Sequence, residues 1–284
     1  MMTTAPEIFI GTSGYSFADW VGPFYPPGTK SGDFLGYYSA HFNCVEVNAT
    51  YYGIPEPRVL ANMERKTPDG FRFIVKLNQA MTHEYSADPA LYAKFLDVLA
   101  PLKAAGKYHG LLAQFPWAFK RDEPSKAHLE RLRDAYPDEP LWVEFRHDSW
   151  MHPRLADWLT ERAIGYCAVD EPQLPGLLPP VTHVSNGIGY VRFHGRNAKH
   201  WWDNGTSRAD AASGRASPLR GSREQLRYDY DYSESELMQW LGRVQALAQK
   251  AKQTYLFFNN CHAGQAARNA KLMEELLRRS GLAL

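Results

Sequence analysis

The chain is poor in cysteine, with three in 284 residues (Cys44, Cys167 and Cys261), far apart and without a CxxC spacing. That excludes a disulfide framework and a zinc ribbon and fits a reducing compartment. No apolar run approaches the roughly 20 residues that cross a bilayer. The opening stretch MMTTAPEIFIGTSG has no basic segment ahead of its short apolar part, which argues against a secretory signal. An excess of one charge is also missing. The 32 Lys and Arg against 31 Asp and Glu leave a net charge of +1, so no global field drives the surface onto nucleic acid or a membrane. Attraction for anions has to be local. The sequence contains no HExxH, GxGxxG or Walker motif, no regular His/Asp spacing and no repeat of fixed period. A soluble, cytoplasmic protein without a membrane partner or a cofactor is expected. A divalent ion on His194, His147, Asp170 and Glu144 is the weaker alternative.

What is present is alternation. Eight short apolar, β-branched or aromatic runs recur: IFIGTSG, FNCVEVN, FRFIVKLN, HGLLAQFP, LWVEFRH, IGYCAVD, IGYVRFHG and TYLFFNN. Between most of them lie segments of helical period, such as Ala90 to Gly106, Ser125 to Tyr136, His152 to Ala163 and Ser233 to Lys252. Ser233 followed by Glu236 reads as a capping box, and Pro89 and Pro153 suit first helical turns. Strands alternating with helices imply parallel βαβ units, and eight of them point to a closed (β/α)8 barrel in one domain, 1–284. A doubly wound open sheet is the competing arrangement. Residues 204–232, rich in Gly, Ser, Ala and Arg, break the rhythm and read as a long insertion after strand seven, a surface excursion or a lid.

Successive strand side chains alternate between the barrel interior and the helix layer. Even numbers collect the polar groups late in the strands: Thr12, Glu46, Asn48, Lys76, Asn78, Gln114, Glu144, Arg146, Asp170, Arg192 and His194. The odd neighbours, such as Val45, Val75, Val143, Phe145, Val169 and Phe193, are apolar. Even parity is therefore expected to face inward in strands one to seven. In strand eight Asn259 and Asn260 lie on opposite faces, and either could point in. Charges gathered inside a barrel must pair, because an isolated buried charge costs more than the margin of stability. They form either a closed plug or a site, and active sites in this fold gather at the C-terminal strand ends.

The loops after the strands add to that rim. Thr12, Ser13 and Trp20 follow strand one; Asn48 and Tyr51 follow strand two; His83 follows strand three. His147 and Trp150 follow strand five, and Arg196, Asn197, Trp201 and Trp202 follow strand seven. Lys76, Arg146, Arg192, Arg196, His194 and His262 would focus positive potential, and arginine forks suit phosphate or carboxylate. Gly264, at the start of the last helix, would let backbone N–H groups approach an anion. The expected function is a hydrolase or lyase acting on an anionic, phosphate-bearing substrate, nucleic acid included. Glu144, Asp170, His194 and Glu46 are its candidate catalytic groups. Thr12, Ser13, Trp20, Asn48, Tyr51, Lys76, His83, Gln114, Arg146, His147, Trp150, Arg192, Arg196, Trp201, Asn259 and Asn260 are its candidate substrate contacts. A carbohydrate-active enzyme using paired carboxylates, and a non-catalytic barrel that binds nucleic acid or another ligand, are the alternatives.

Taken in order, IGTSGYSFADWVGPFYP, FNCVEVNATYYG, FIVKLNQAMTH, GLLAQFPWAF, VEFRHDSW, YVRFHGRN, RYDYDYSESEL and FFNNCHAGQAARNA resemble the YecE-like family, domain of unknown function 72. The resemblance runs from about Ile8 to the last helix and implies a TIM barrel. It brings no activity with it. Besides the residues above, it marks Tyr15, Gly195, Tyr228 and Tyr230 as motif positions. Cys261 stands where that family tends to carry an acidic residue, which weakens a carboxylate or metal role there.

Overall fold

The computed structural model describes residues 7–202 and 226–282. Its eight strands are β1 (Glu7–Thr12), β2 (Cys44–Val47), β3 (Arg72–Lys76), β4 (Tyr108–Gln114), β5 (Leu141–Glu144), β6 (Ile164–Asp170), β7 (Ile188–Phe193) and β8 (Gln253–Phe258). Every pairing is parallel, in the order β1-β8-β7-β6-β5-β4-β3-β2. A parallel bridge from Ser13 to Glu46 brings the two ends together, so the sheet curls into a nearly closed barrel. The helices are α1 (Phe34–Ser39), α2 (Ala49–Tyr52), α3 (Pro57–Arg65), α4 (Gln79–Thr82), α5 (Pro89–Ala104), α6 (Glu123–Ala135), α7 (Leu155–Glu161), α8 (Glu234–Lys250) and α9 (Gln265–Arg279). None of the described helices is long and apolar enough to cross a membrane.

Local chemistry sets the helix starts. Ser233 and Glu236 form the reciprocal capping box, and Pro89 takes the first turn of α5 behind the Asp88 cap. The expected helix at 152–163 is shorter, because His152 and Pro153 belong to the loop that leads into α7. β6 passes to β7 through residues 171–187 without a helix. Of the insertion expected at 204–232, residues 204–225 lie outside the described residues, and so does the question of a lid. Its last part returns to the body, where the Asn197 amide donates to the carbonyls of Leu226 and Asp229.

The lower barrel is plugged by apolar side chains, among them Phe9, Cys44, Ile74, Leu112, Trp142, Cys167, Tyr190, Tyr255 and Phe257. Trp142 fits only because its neighbours are glycines. A Cβ at Gly165 would meet the Trp142 ring at 2.2 Å, and one at Gly110 would meet it at 2.3 Å. Gly165→Ala is therefore expected to destabilise by about 1–3 kcal/mol through overpacking, with part of the loss recovered in a Trp142→Phe background. Urea unfolding checks this; equal stability of Gly165→Ala and the parent would show that the indole is not confined there.

Parity holds in five strands and reverses in two. β8, for which no parity is expected, places Tyr255 and Phe257 inside with odd numbers. In β1 the inward residues are Phe9 and Ser13, whereas Thr12 turns to the helix layer and shares a hydrogen bond with the Tyr38 hydroxyl of α1. In β6 the inward residue is Cys167, and Asp170 faces outward under α8. There Asp170 accepts from the Trp240 indole, the Tyr232 hydroxyl and the Arg196 guanidinium. Polar character signalled an interior place for both residues, but the helix layer satisfies each with a partner remote in sequence.

Candidate functional site

β7 supplies the centre of the site. Arg192 reaches across the barrel and bridges two carboxylates, with one Nη 2.5 Å from Glu144 Oε2 and the other 2.7 Å from Glu46 Oε1. The second Nη also approaches Ser13 Oγ at 3.3 Å, and the Tyr190 hydroxyl donates to Glu46 at 2.6 Å. Glu144 is the hub. Its Oε1 also receives Arg146 Nε at 2.6 Å and lies 3.2 Å from His194 Nε2. Arg146 extends to Glu171 at 3.4 Å, and the Asn259 amide lies 3.0 Å from His194 Nδ1.

The charge states follow from these contacts. Burial would push the Glu144 carboxyl up, but Arg146 and Arg192, joined by His194, hold it well below the usual range. His194 is lowered to about 3, first by burial and then by Arg146, with Glu144 opposing. It is a neutral imidazole at pH 7. With the Asn259 amide donating to Nδ1, its proton sits on Nε2, 3.2 Å from Glu144 Oε1. Glu171 is pushed up to about 7 by burial, against the pull of Arg146. The two arginines and the two inner carboxylates thus close into a neutral set.

Above this set opens a cavity of about 520 Å³. Arg192, Arg146 and Lys76 reach its base; Ser13, Asn48, Tyr51, His83, Gln114, Trp201, Tyr228 and Asn259 line it; Tyr52, Trp117 and Trp202 stand exposed at its mouth. Trp117 and Trp202 meet edge to face at 5.7 Å, and Arg227 lies 5.0 Å over the Trp201 ring. Lys76 ends β3 with its ammonium 4.3 Å over the Tyr51 ring, and burial together with Arg192 lowers it to about 7. His83 is lowered to about 4 by burial and by Lys76.

Ten of the expected contacts therefore meet in one cavity: Ser13, Asn48, Tyr51, Lys76, His83, Gln114, Arg146, Arg192, Trp201 and Asn259. The expected catalytic groups do not line it. Glu46, Glu144 and His194 are buried in the network beneath, and Asp170 lies behind the wall. Several rim candidates serve packing or capping. Trp20 is fully buried and donates to the Cys261 carbonyl, and Trp150 donates to the Phe119 carbonyl and stacks on Phe145. His147 caps the turn at Ser149, and Arg196 is taken by Asp170. Asn260 bonds Tyr230 and Asn269 outside the barrel, so Asn259 is the inward one. Beside Gly264, Asp19 already accepts from the Ala263 N–H, and Gly264 does not line the cavity. The four residues considered for a metal are spread over three places, and among the described residues no three His, Cys, Asp or Glu side chains gather to hold an ion.

Sequence reasoning missed Glu171, Trp117 and Leu177. Glu171 follows from the reversed parity of β6. Trp117 carried a usable signal: it stands three residues beyond Gln114, where loops after a barrel strand face the mouth.

The chain matches the family model "Protein of unknown function DUF72" over residues 9–283. It is 32% identical to the UPF0759 protein YunF of Bacillus subtilis over 283 residues, which is 95% of this chain and 94% of that protein. It is 34% identical to the UPF0759 protein YecE of Escherichia coli K12 over 148 residues, half of each chain. Among solved structures, a DUF72 family protein of Thermotoga maritima aligns with a TM-score of 0.82 at 38% identity, covering 96% of this chain and 99% of that one. A DUF72 family protein of Enterococcus faecalis aligns with a TM-score of 0.80 at 28% identity, covering 95% of both chains.

Proposed function

This chain belongs to the DUF72 family of barrel proteins, and on that footing we propose that it is a hydrolase or lyase that takes a phosphate-bearing substrate, nucleic acid included, into the cavity at the C-terminal mouth. One observation carries the reading. Arg146 and Arg192 are held by Glu144, Glu46 and Glu171, and Lys76 reaches the base of the cavity without an ion-pair partner among the described residues. An anion entering there meets the Arg146 and Arg192 guanidiniums that line the cavity and Lys76 in its protonated form. Asn48 Oδ1, buried and without a partner among the described residues, is an acceptor for a substrate hydroxyl. Trp117 and Trp202 at the mouth offer faces for a base or another flat group.

Glu144 and His194 then act as positioning groups. They fix Arg146 and Arg192, and neither exchanges a proton readily near neutral pH. The carbohydrate alternative, which would need Glu46 and Glu144 at a glycosidic bond, is disfavoured because both are 0% exposed and share Arg192. The cytoplasm is the compartment we assign, since Cys44 and Cys167 are free and buried.

Inorganic pyrophosphate and a single-stranded oligothymidylate test the reading by tryptophan fluorescence. Both should bind at low salt with a negative slope of log affinity on log salt. Arg146→Gln should weaken each about tenfold or more, as expected for a lost charged hydrogen bond. A slope of zero with both probes would remove the anion site. Cleavage of the bound oligonucleotide separates an enzyme from a barrel that only binds.

A further inference from the structure

Lys107 is buried and Lys76 half-buried, and the two are treated differently. Lys107 is fully committed: its Nζ lies 2.9 Å from a Glu64 carboxylate oxygen, 2.9 Å from the Glu64 carbonyl and 2.8 Å from the Thr67 carbonyl. The Lys76 ammonium has no hydrogen-bond or ion-pair partner among the described residues, only the face of Tyr51; the Lys76 carbonyl accepts from Thr50. Lys76 ends a barrel strand, reaches into the cavity, and feels Arg192 and Arg146 against Glu144 and Glu46. A lysine that serves the fold is paired, as Lys107 is. An unpaired one at the base of a cavity, without a carboxylate in contact, has the setting that turns an ammonium into a nucleophilic amine.

We infer that Lys76 is a covalent site, whose amine adds to the carbonyl carbon of a phosphate-bearing aldehyde or ketone and forms an imine. The phosphate in this assignment rests on the anion reading above; the covalent step rests on Lys76 itself. The nitrogen lone pair forms the C–N bond as the carbonyl π pair moves to oxygen. A proton passes from nitrogen to that oxygen, giving a carbinolamine. With one further proton from solvent the hydroxyl leaves as water, and a protonated imine remains. No oxidant or reductant enters. The protonated imine draws electrons from the adjacent carbon, which is the activation that carbon–carbon and carbon–hydrogen cleavage by a lyase requires. With Lys76 lowered to about 7, a large share of the free amine is present at neutral pH.

The test uses glycolaldehyde phosphate with sodium cyanoborohydride, which reduces the imine to a stable secondary amine located by peptide mass spectrometry. The adduct should form on Lys76 on the order of a thousandfold faster than on surface lysines at pH 7 by the free-amine fraction, less what its lower basicity takes from nucleophilicity. Its rate should level off above pH 7, whereas surface lysines continue to climb. Lys76→Arg and Lys76→Met, checked for folding by thermal melting, should abolish it. Labelling spread over surface lysines and unchanged in both variants would overturn the assignment. Unphosphorylated glycolaldehyde and competition by inorganic phosphate separate the two readings. Equal labelling by both aldehydes without competition keeps the covalent lysine and removes the anion site. Phosphate binding without any Lys76 adduct removes the covalent lysine and keeps the anion site.

Discussion

Arg192→Met is expected to cost the folded chain about 3–5 kcal/mol at neutral pH, the penalty of leaving buried carboxylates without their cation. Arg192 is the only guanidinium within ion-pair distance of Glu46 among the described residues, and without it Glu46 keeps the Tyr190 hydroxyl alone. Glu144 fares better, because Arg146 and His194 still approach its Oε1. The damage should therefore concentrate on Glu46. Arg192→Met combined with Glu46→Gln is expected to recover about 1–3 kcal/mol relative to the single variant, since contacting members of one network do not add. Urea unfolding of the parent, both singles and the double measures the cycle. Additive losses would show that the two side chains do not hold each other. A loss below about 1 kcal/mol for Arg192→Met would show that the network is not ionised.

The reach of the sequence follows from the same residues. Alternation along a strand is obligatory, so once Glu144 and Arg192 are inward, Trp142, Arg146, Tyr190 and His194 must be as well, and they are. The period does not say which of two parities faces in. Polarity settles that only where the outer layer has nothing to offer a polar group. Behind β6 it offers Trp240 and Tyr232, and behind β1 it offers Tyr38, all remote in sequence from the residues they satisfy. Asp170 and Thr12 turned outward for that reason, and Glu171 took the inward place near Arg146. The same limit applies to the aromatics. Trp20, Trp150 and Trp201 read alike as rim tryptophans, yet the first two are held in the core by their indole N–H bonds, and only Trp201 lines the cavity. Which tryptophan finds an internal acceptor depends on the packing of several loops, and no local pattern encodes it.

Acid is expected to weaken this protein from about pH 6.5 downward, before its carboxylates titrate, because several of its histidines are built to stay neutral. His194 is lowered to about 3, and His83 and His109 to about 4, in each case first by burial. In the unfolded chain these rings titrate near about 6.5. Above that pH both states are neutral and nothing is lost. Below it the unfolded chain binds protons that the native chain refuses, so stability falls as pH falls from about 6.5 toward the folded values. Glu171 works the other way. Its folded value of about 7 lies above the ordinary carboxylate, so the native chain binds its proton first, and stability is gained as pH falls through 7 toward the unfolded value. His194, fully buried, alone leaves the unfolded chain about one extra proton between pH 6 and 5, or about 1.4 kcal/mol per pH unit; the half-buried His83 and His109 act in the same direction with less weight, and Glu171 opposes them. His194→Gln retains an N–H donor toward Glu144 but cannot titrate. It should lower that slope by one proton, about 1.4 kcal/mol per pH unit, and narrow the gap to the parent as the solution is acidified. Urea midpoints at pH 7 and pH 5 for both proteins decide the matter. Parallel pH profiles would mean that His194 carries its proton in the folded state and that the Glu144 hub faces a third cation rather than a neutral donor.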